Sequence, residues 1–258
     1  MLNKIAVYLL SYRRPELIIQ TIDSILAQKN ISFDFIISEN SGYDAVYPLI
    51  QHYQEQGLLK IIRQQPALES IQHFNQLIQE ASHRYEYFML FHDDDIMHKD
   101  CVATLHRELQ KYPNYAAVAS NAVILGTNKL FNPYLTKQTT LTSISQIVKS
   151  YLTPRLGHPP FPSYMYRSHK IQDCRMNSRE GGKHSDVTFL AHLLVKGPLL
   201  WLPQALIDYR IHSQNDSATI NLADIWKLSC FYFHVAPRHF LLILRFLIKN
   251  SLKKYLKK

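Results

Sequence analysis

The sequence predicts an α/β fold: a mostly parallel central sheet with helices on both faces, followed by a C-terminal helical extension. Three observations predict it. Short β-rich apolar runs alternate with helically spaced segments through the first part of the chain. These runs break off into polar residues, as strands do at the carboxyl edge of such a sheet. Only 7 glycines among 258 residues, with no repeated period, exclude a solenoid, a propeller or a low-complexity chain.

Residues 4–10 (KIAVYLL) form the first strand, and 15–28 the first helix, its apolar residues at helical spacing behind a proline suited to the first turn. Residues 33–38 (FDFIIS) are the second strand and 44–56 the second helix; 58–63 (LLKIIR) and 69–82 are the third pair. The fourth strand, 86–91 (EYFMLF), runs straight into His92, Asp93, Asp94 and Asp95. Ligands of such sheets bind beyond the carboxyl ends of the strands. The strand ends to inspect are therefore Ser11-Tyr12-Arg13, Glu39-Asn40-Ser41, Gln64-Gln65-Pro66 and the aspartate run.

The alternation weakens after residue 98. A helix is expected over 99–111, a strand over 115–124, and a helix at 142–152 inside a polar, proline-bearing stretch. Strands at 163–167 and 199–211 flank a helix at 185–196, and the chain is helical from about 220, broken or kinked at Pro237. The expected division is one α/β domain over 1–215 and a basic helical extension over 216–258.

A hydrophobic fraction of 47% with 19% charged residues is that of an ordinary globular protein. Cys101, Cys174 and Cys230 are scattered and form no C-x-x-C pair, which argues against a disulfide framework or structural zinc and fits a reducing cytosol. The six apolar residues Ile5 to Leu10 are too few for a secretory signal, and no segment reaches the length of a bilayer span. A cytoplasmic protein is expected. The net charge of +9 gathers at the end, in Arg238, Arg245, Lys249, Lys253, Lys254, Lys257 and Lys258 with no acid among them. It belongs to a tail and not to a whole nucleic-acid-binding surface.

Side chains two apart in extended backbone point the same way, so Asp93 and Asp95 are expected to converge on one ligand while Asp94 faces elsewhere. Two carboxylates at the mouth of a sheet suit Mg²⁺ or Mn²⁺; a solvated acidic turn or a helix N-cap fits the same residues. Asp186 follows Gly181-Gly182-Lys183-His184-Ser185 and precedes an amphipathic helix with Phe189, Leu190, Leu193 and Leu194. Local sequence alone favours a helix cap there. His212, ending a strand in Asp208-Tyr209-Arg210-Ile211-His212, reads locally as an ordinary surface or core histidine.

Taken together, the chain resembles the family 2 glycosyltransferases, the large inverting group with the GT-A fold. Four stretches carry the resemblance: Ala6 to Pro15 with Ser24-Ile25-Leu26-Ala27-Gln28; Ile36-Ile37-Ser38-Glu39-Asn40-Ser41; Phe91-His92-Asp93-Asp94-Asp95, similar to the D-x-D segment; and Tyr209-Arg210-Ile211-His212, similar to a late Y-R-x-H element. Asn75 falls where the family often has asparagine. The resemblance implies a nucleotide pocket lined by Ser11, Tyr12 and Arg13, with Glu39, where aspartate is usual, on the base or ribose. It implies Asp93, beside Asp94, on the ribose or sugar, and Asp95 and His212 on a Mn²⁺ or Mg²⁺ that bridges the diphosphate. Asp186 matches the family's catalytic base, although the usual glutamate-aspartate pair is here Ser185-Asp186.

The implied chemistry is coherent. A divalent metal offsets charge building on a leaving diphosphate, and a carboxylate begins to remove the acceptor's proton. No nucleophile elbow is present, so no covalent intermediate is called for. The resemblance thus implies a nucleotide-sugar donor and a glycan or lipid-linked glycan acceptor, in bacterial surface polysaccharide synthesis. A sugar-nucleotide nucleotidyltransferase would share the class and the metal, but would open on a glycine-rich phosphate loop where this chain has Ser11-Tyr12-Arg13-Arg14-Pro15. A nucleic-acid-binding module leaves the aspartates unexplained.

In the tail, Arg238, Arg245, Lys249, Lys253 and Lys257 recur at spacings of seven and four, with Leu241, Leu244, Ile248, Leu252 and Tyr255 on another side. Such a helix either lies in an anionic membrane surface or packs on the domain.

Overall fold

The computed structural model describes residues 3–153, 156–211 and 221–255. The first seven elements are β1 (Asn3–Ser11), α1 (Pro15–Leu26), β2 (Asp34–Glu39), α2 (Tyr47–Glu55), β3 (Lys60–Arg63), α3 (Ser70–Arg84) and β4 (Tyr85–His92). β1 pairs in parallel with both β2 and β4, and β2 in parallel with β3. The expected parallel half of the sheet is there.

Beyond it come β5 (Ile96–Met97), α4 (Cys101–Gln110), β6 (Ala117–Ile124), β7 (Thr139–Leu141), α5 (Ile144–Leu152) and β8 (Tyr164–Arg167). Two four-residue helices follow, α6 (Ser168–Ile171) and α7 (Ser178–Gly181), then α8 (Ser185–Lys196), β9 (Leu199–Tyr209), α9 (Leu222–Val235) and α10 (Phe240–Tyr255). The strand order is β3-β2-β1-β4-β8-β6-β9-β5, with β7 on β9. β8 runs antiparallel to both β4 and β6, while β6 and β9 are parallel. The weakened alternation after residue 98 corresponds to this mixed half. β5, α6 and α7 are too short to carry a period in the sequence.

Strand alternation divides the core into two layers. Ala6, Tyr8 and Leu10 of β1 face a layer filled by α3, α5, α8 and α9, with Ile243 of α10 joining it. Ile5, Val7 and Leu9 face the opposite layer, filled by α1, α2 and α4. α9 and α10 thus contribute Leu228, Phe231, Tyr232 and Ile243 to one of the two cores. The boundary expected between residues 215 and 216 lies outside the described residues.

Candidate active site

β4 carries an apolar run to the sheet edge and stops at His92, because residues 93 and 94 turn. Three neighbouring segments pin that turn. Thr21 of α1 donates its hydroxyl to the carbonyls of Asp93 (3.1 Å) and Asp95 (2.8 Å). The Asp93 carboxylate accepts from the Tyr12 amide and from Arg14 Nη1, each at 2.7 Å. The Arg210 amide donates to Asp95 Oδ1 (2.9 Å), and its Nε to the Asp94 carbonyl (2.8 Å).

The turn corrects the expectation drawn from extended backbone. Asp93 and Asp95 do not form the pair from which Asp94 is excluded. One ligand atom each from His92, Asp94 and Asp95 instead lie within 4.8 Å of one another, a group able to hold a metal ion. Asp93 is tied to the β1–α1 turn. Burial pushes the Asp93 carboxyl up to about 6, against the pull of Arg14 and the Tyr12 amide. Burial, then the Asp94 charge, raises the Asp95 carboxyl well above its ordinary range. Asp95 Oδ2 is buried without a hydrogen-bond partner among the described residues. A buried carboxylate oxygen in that state is costly, and a dication beside it removes the cost. Two carboxylates with one imidazole suit Mn²⁺ or Mg²⁺, the imidazole favouring the transition ion. The residues present therefore fit the implied metal.

Beside this cluster, Ser11 and Glu39 stand opposite each other across β1 and β2. Arg13 adopts φ 57°, the left-handed region that a non-glycine residue occupies at a cost. Ser41 holds it there: its Oγ accepts from the Arg13 amide (3.0 Å) and its carbonyl accepts from Arg13 Nε (3.1 Å). The guanidinium lies 4.9 Å and 5.3 Å from the ring centroids of Tyr12 and Tyr43, both exposed. Glu39 is buried, and its Oε1 accepts from the Ser41 amide at 2.7 Å, so its carboxylate shapes the turn. The Asn40 side chain clasps Leu68 by both its amide and its carbonyl. The result is a hydrogen-bonded polar shelf with two aromatic rings at its rim.

Asp186 stands half-exposed in the first turn of α8. Ser185 is not the cap of this helix. His184 occupies the cap position and makes no side-chain capping bond, while Ser185 Oγ donates to the carbonyls of Gly182 and Asn177. A helix N-terminus favours the ionised carboxylate, the form a base needs. Below Asp186 lie Tyr151, Tyr164, Tyr166 and Tyr232. Burial foremost, with the nearby Asp186 charge adding, raises all four phenols, so they stay protonated.

Two distant side chains fix the loop leading to α8. The Asn75 amide bonds both the amide (2.7 Å) and the carbonyl (3.0 Å) of Met176. Asp224 caps α9 through the Asn221 amide and also accepts from the Lys183 amide at 3.2 Å. Gly182 has φ 59°, and a Cβ there would collide with the Asp224 carboxylate. Phe161 joins the two sides of the site: its ring centroid is 6.2 Å from that of His92 and 6.4 Å from those of Tyr166 and Phe189.

Of the expected site residues, Ser11, Tyr12, Arg13, Glu39, Asp93, Asp94 and Asp95 gather at one sheet edge. Asn75 is a clasp on the Asp186 side. His212 lies outside the described residues. Sequence reasoning missed the roles of Arg14, Thr21, Ser41, Phe161 and Arg210, and the place of His92 in the cluster. Arg210 and His92 stood inside segments already singled out; Thr21 and Phe161 gave no signal.

Residues 6–174 match the family model for glycosyl transferase family 2. No curated protein matches the chain. Among solved structures, Staphylococcus aureus TarS 1–349 in complex with UDP-GlcNAc is similar at a TM-score of 0.71 and 11% identity, over 95% of this chain and 71% of that one. The S. aureus TarS structure gives 0.67 and 12% over 90% of this chain, which spans only 40% of that chain's length. The mannosyltransferase PcManGT from Pyrobaculum calidifontis, in complex with GDP-Man and Mn²⁺, gives 0.64 and 12%, over 98% and 76%. At such identities the likeness is one of fold, the GT-A type.

Proposed function

The chain belongs to glycosyl transferase family 2, and from that premise we propose that it moves a sugar from a nucleoside-diphosphate donor onto a hydroxyl acceptor in one inverting displacement. The observation that carries the reading is the buried Asp95 Oδ2, without a hydrogen-bond partner among the described residues, beside Asp94 and His92 at the sheet edge. Asp95, Asp94 and His92 would hold Mn²⁺ or Mg²⁺. His212, two residues beyond the Arg210 amide that meets Asp95, is a further ligand in this reading. The ion would offset the charge that develops on the leaving diphosphate.

The chain's own residues do the rest. Tyr12 and Tyr43 offer faces on which a base can stack, and Ser11 and the shelf around Glu39 frame the ribose. Asp93, gripping Arg14 and the Tyr12 amide, keeps that shelf in register with the aspartate turn. Asp186, in the first turn of α8, takes the acceptor proton as general base. The similar structures hold UDP-GlcNAc or GDP-Man, so sugar nucleotides are the donor class offered for this chain. The acceptor in this reading is a glycan or lipid-linked glycan of a bacterial surface polymer.

Calorimetry with UDP and GDP, in the presence of MnCl₂ or of EDTA, tests the reading. One of the two should bind only with the metal, and Asp95→Ala should abolish that binding. Equal affinity with and without metal, or in the variant, overturns it. NMR of the new linkage should show the anomeric centre inverted relative to the donor.

A further inference from the structure

We propose that the outer face of α10 binds an anionic lipid surface and lies flat upon it. α10 docks on the domain through one side only, where Ile243 is fully buried and Phe246 packs against the core. On the opposite side Leu241 is 77% exposed, Ile248 49% and Leu252 55%. These are one row, since spacings of seven and four return to the same face of a helix. The helix therefore has two apolar faces, and the domain covers one. The single apolar side read from the sequence merges them: Leu244 is half-buried, whereas Leu241, Ile248 and Leu252 face out.

Phe240, 54% exposed, opens α10 with its ring centroid 5.4 Å from that of Phe233, at the end of α9. Trp226 on α9 is 60% exposed, with Leu222 one turn before it. Six of the fifteen exposed large hydrophobic side chains among the described residues lie on these two helices. Such clustering marks an interaction surface, where scattered exposure would not.

Charge selects the occupant. Eight of the 29 lysines and arginines follow Asp224, and none of the 20 acids does, so nearly the whole net charge of +9 is carried there. Arg245 and Lys249 are exposed and lie roughly 40° and 80° round the helix from Leu241, bordering the apolar row. Apolar side chains flanked by cations match the interface of an anionic leaflet, where rings and aliphatic chains enter the acyl boundary and ammonium groups meet phosphates. A nucleic acid would leave the leucines unmatched, and a second copy would bring like charge against like. No helix among the described residues is long and apolar enough to cross a membrane, so the helix lies along the surface.

Co-sedimentation of the full chain with vesicles tests this directly, and does so without reference to turnover. The wild type should bind vesicles containing phosphatidylglycerol, bind phosphatidylcholine vesicles far less, and weaken as salt rises. Replacing Leu241, Ile248 and Leu252 together by Gln should abolish binding while leaving the melting temperature in place, because these side chains face outward. Arg245→Gln with Lys249→Gln should weaken partitioning roughly 25-fold, about fivefold for each charge. Failure of the wild type to bind phosphatidylglycerol vesicles at low salt overturns the proposal, as does unchanged binding by the triple Gln variant. A concentration-dependent dimer in light scattering, dissolved by the same substitutions and indifferent to lipid, would assign the face to a second copy instead.

Discussion

The two sides of the candidate site are built by opposite means. On the aspartate side, regular parallel strands deliver Ser11, Glu39 and Asp93 to one edge, and backbone amides then fix the carboxylates: Tyr12 on Asp93, Arg210 on Asp95, Ser41 on Glu39. On the Asp186 side, short irregular segments are stapled by single side chains reaching across the fold, Asn75 to Met176 and Asp224 to Lys183. The first side is dense in carboxylates and in the hydrogen bonds that hold them. The second is an aromatic floor under one carboxylate. Under the proposed function the contrast is a division of labour: binding of a charged donor on one side, proton removal from a neutral acceptor on the other.

The largest expected effect tests that division. Asp186→Asn should lower turnover by roughly 10²–10⁴, the range for losing a general base, with donor affinity within a few fold of wild type. Single-turnover kinetics with calorimetry on the same protein measures both. If Asp186→Asn loses donor binding as Asp95→Ala does, the two sides are not separable.

A second substitution sharpens the description of the aspartate side. Alternation along a strand would spare Asp94, but the turn groups it with Asp95 and His92. Asp94→Asn should therefore weaken Mn²⁺ binding, by roughly tenfold or more if it removes a ligand, as followed by paramagnetic resonance titration. An unchanged Mn²⁺ isotherm would leave Asp94 as a partner of Arg14 alone.

On the opposite side, Asn75→Ala should strip Met176 of two hydrogen bonds and cost about 1–3 kcal/mol in urea unfolding. Because Met176 leads into the Asp186 turn, kcat should fall further than KM rises. A loss confined to KM would return Asn75 to the donor.

The same contrast explains how far the sequence could be read. Regular periodicity made β1, β2, β4 and their helices legible, and with them the strand ends where Ser11, Glu39 and Asp93 to Asp95 gather. What failed there was local: residues 93 and 94 turn, so a rule for extended backbone did not group Asp94 with Asp95 and His92. The clasp between Asn75 and Met176 spans 101 residues and leaves no trace in spacing. The exposed row of α10 was visible only as part of a broader apolar side, since its burial is decided by where α9 and α5 lie.

The effect furthest from the chemistry lies beneath the aspartate side, where the shelf rests on a buried neutral histidine. His73 is 4% exposed and sits 2.6 Å from the hydroxyl of Ser38, the residue before Glu39. Burial lowers its pKa to about 4 from 6.5. The unfolded chain therefore binds the proton between these values while the folded chain does not, and stability falls as pH drops through that window. At pH 5 this one group costs about 2 kcal/mol relative to neutral pH. His106 and His158, also lowered to about 4, act in the same sense, while Asp93, raised to about 6, acts against them. The total slope is thus a mixture, and the difference between proteins isolates His73. Urea midpoints of wild type and His73→Gln at pH 7 and pH 5 should show the variant losing about 2 kcal/mol less on acidification, whatever its stability at neutral pH. Equal losses in the two proteins would mean that His73 takes up its proton without unfolding, and that the shelf above it is softer than the bonds around Ser41 and Asp93 require.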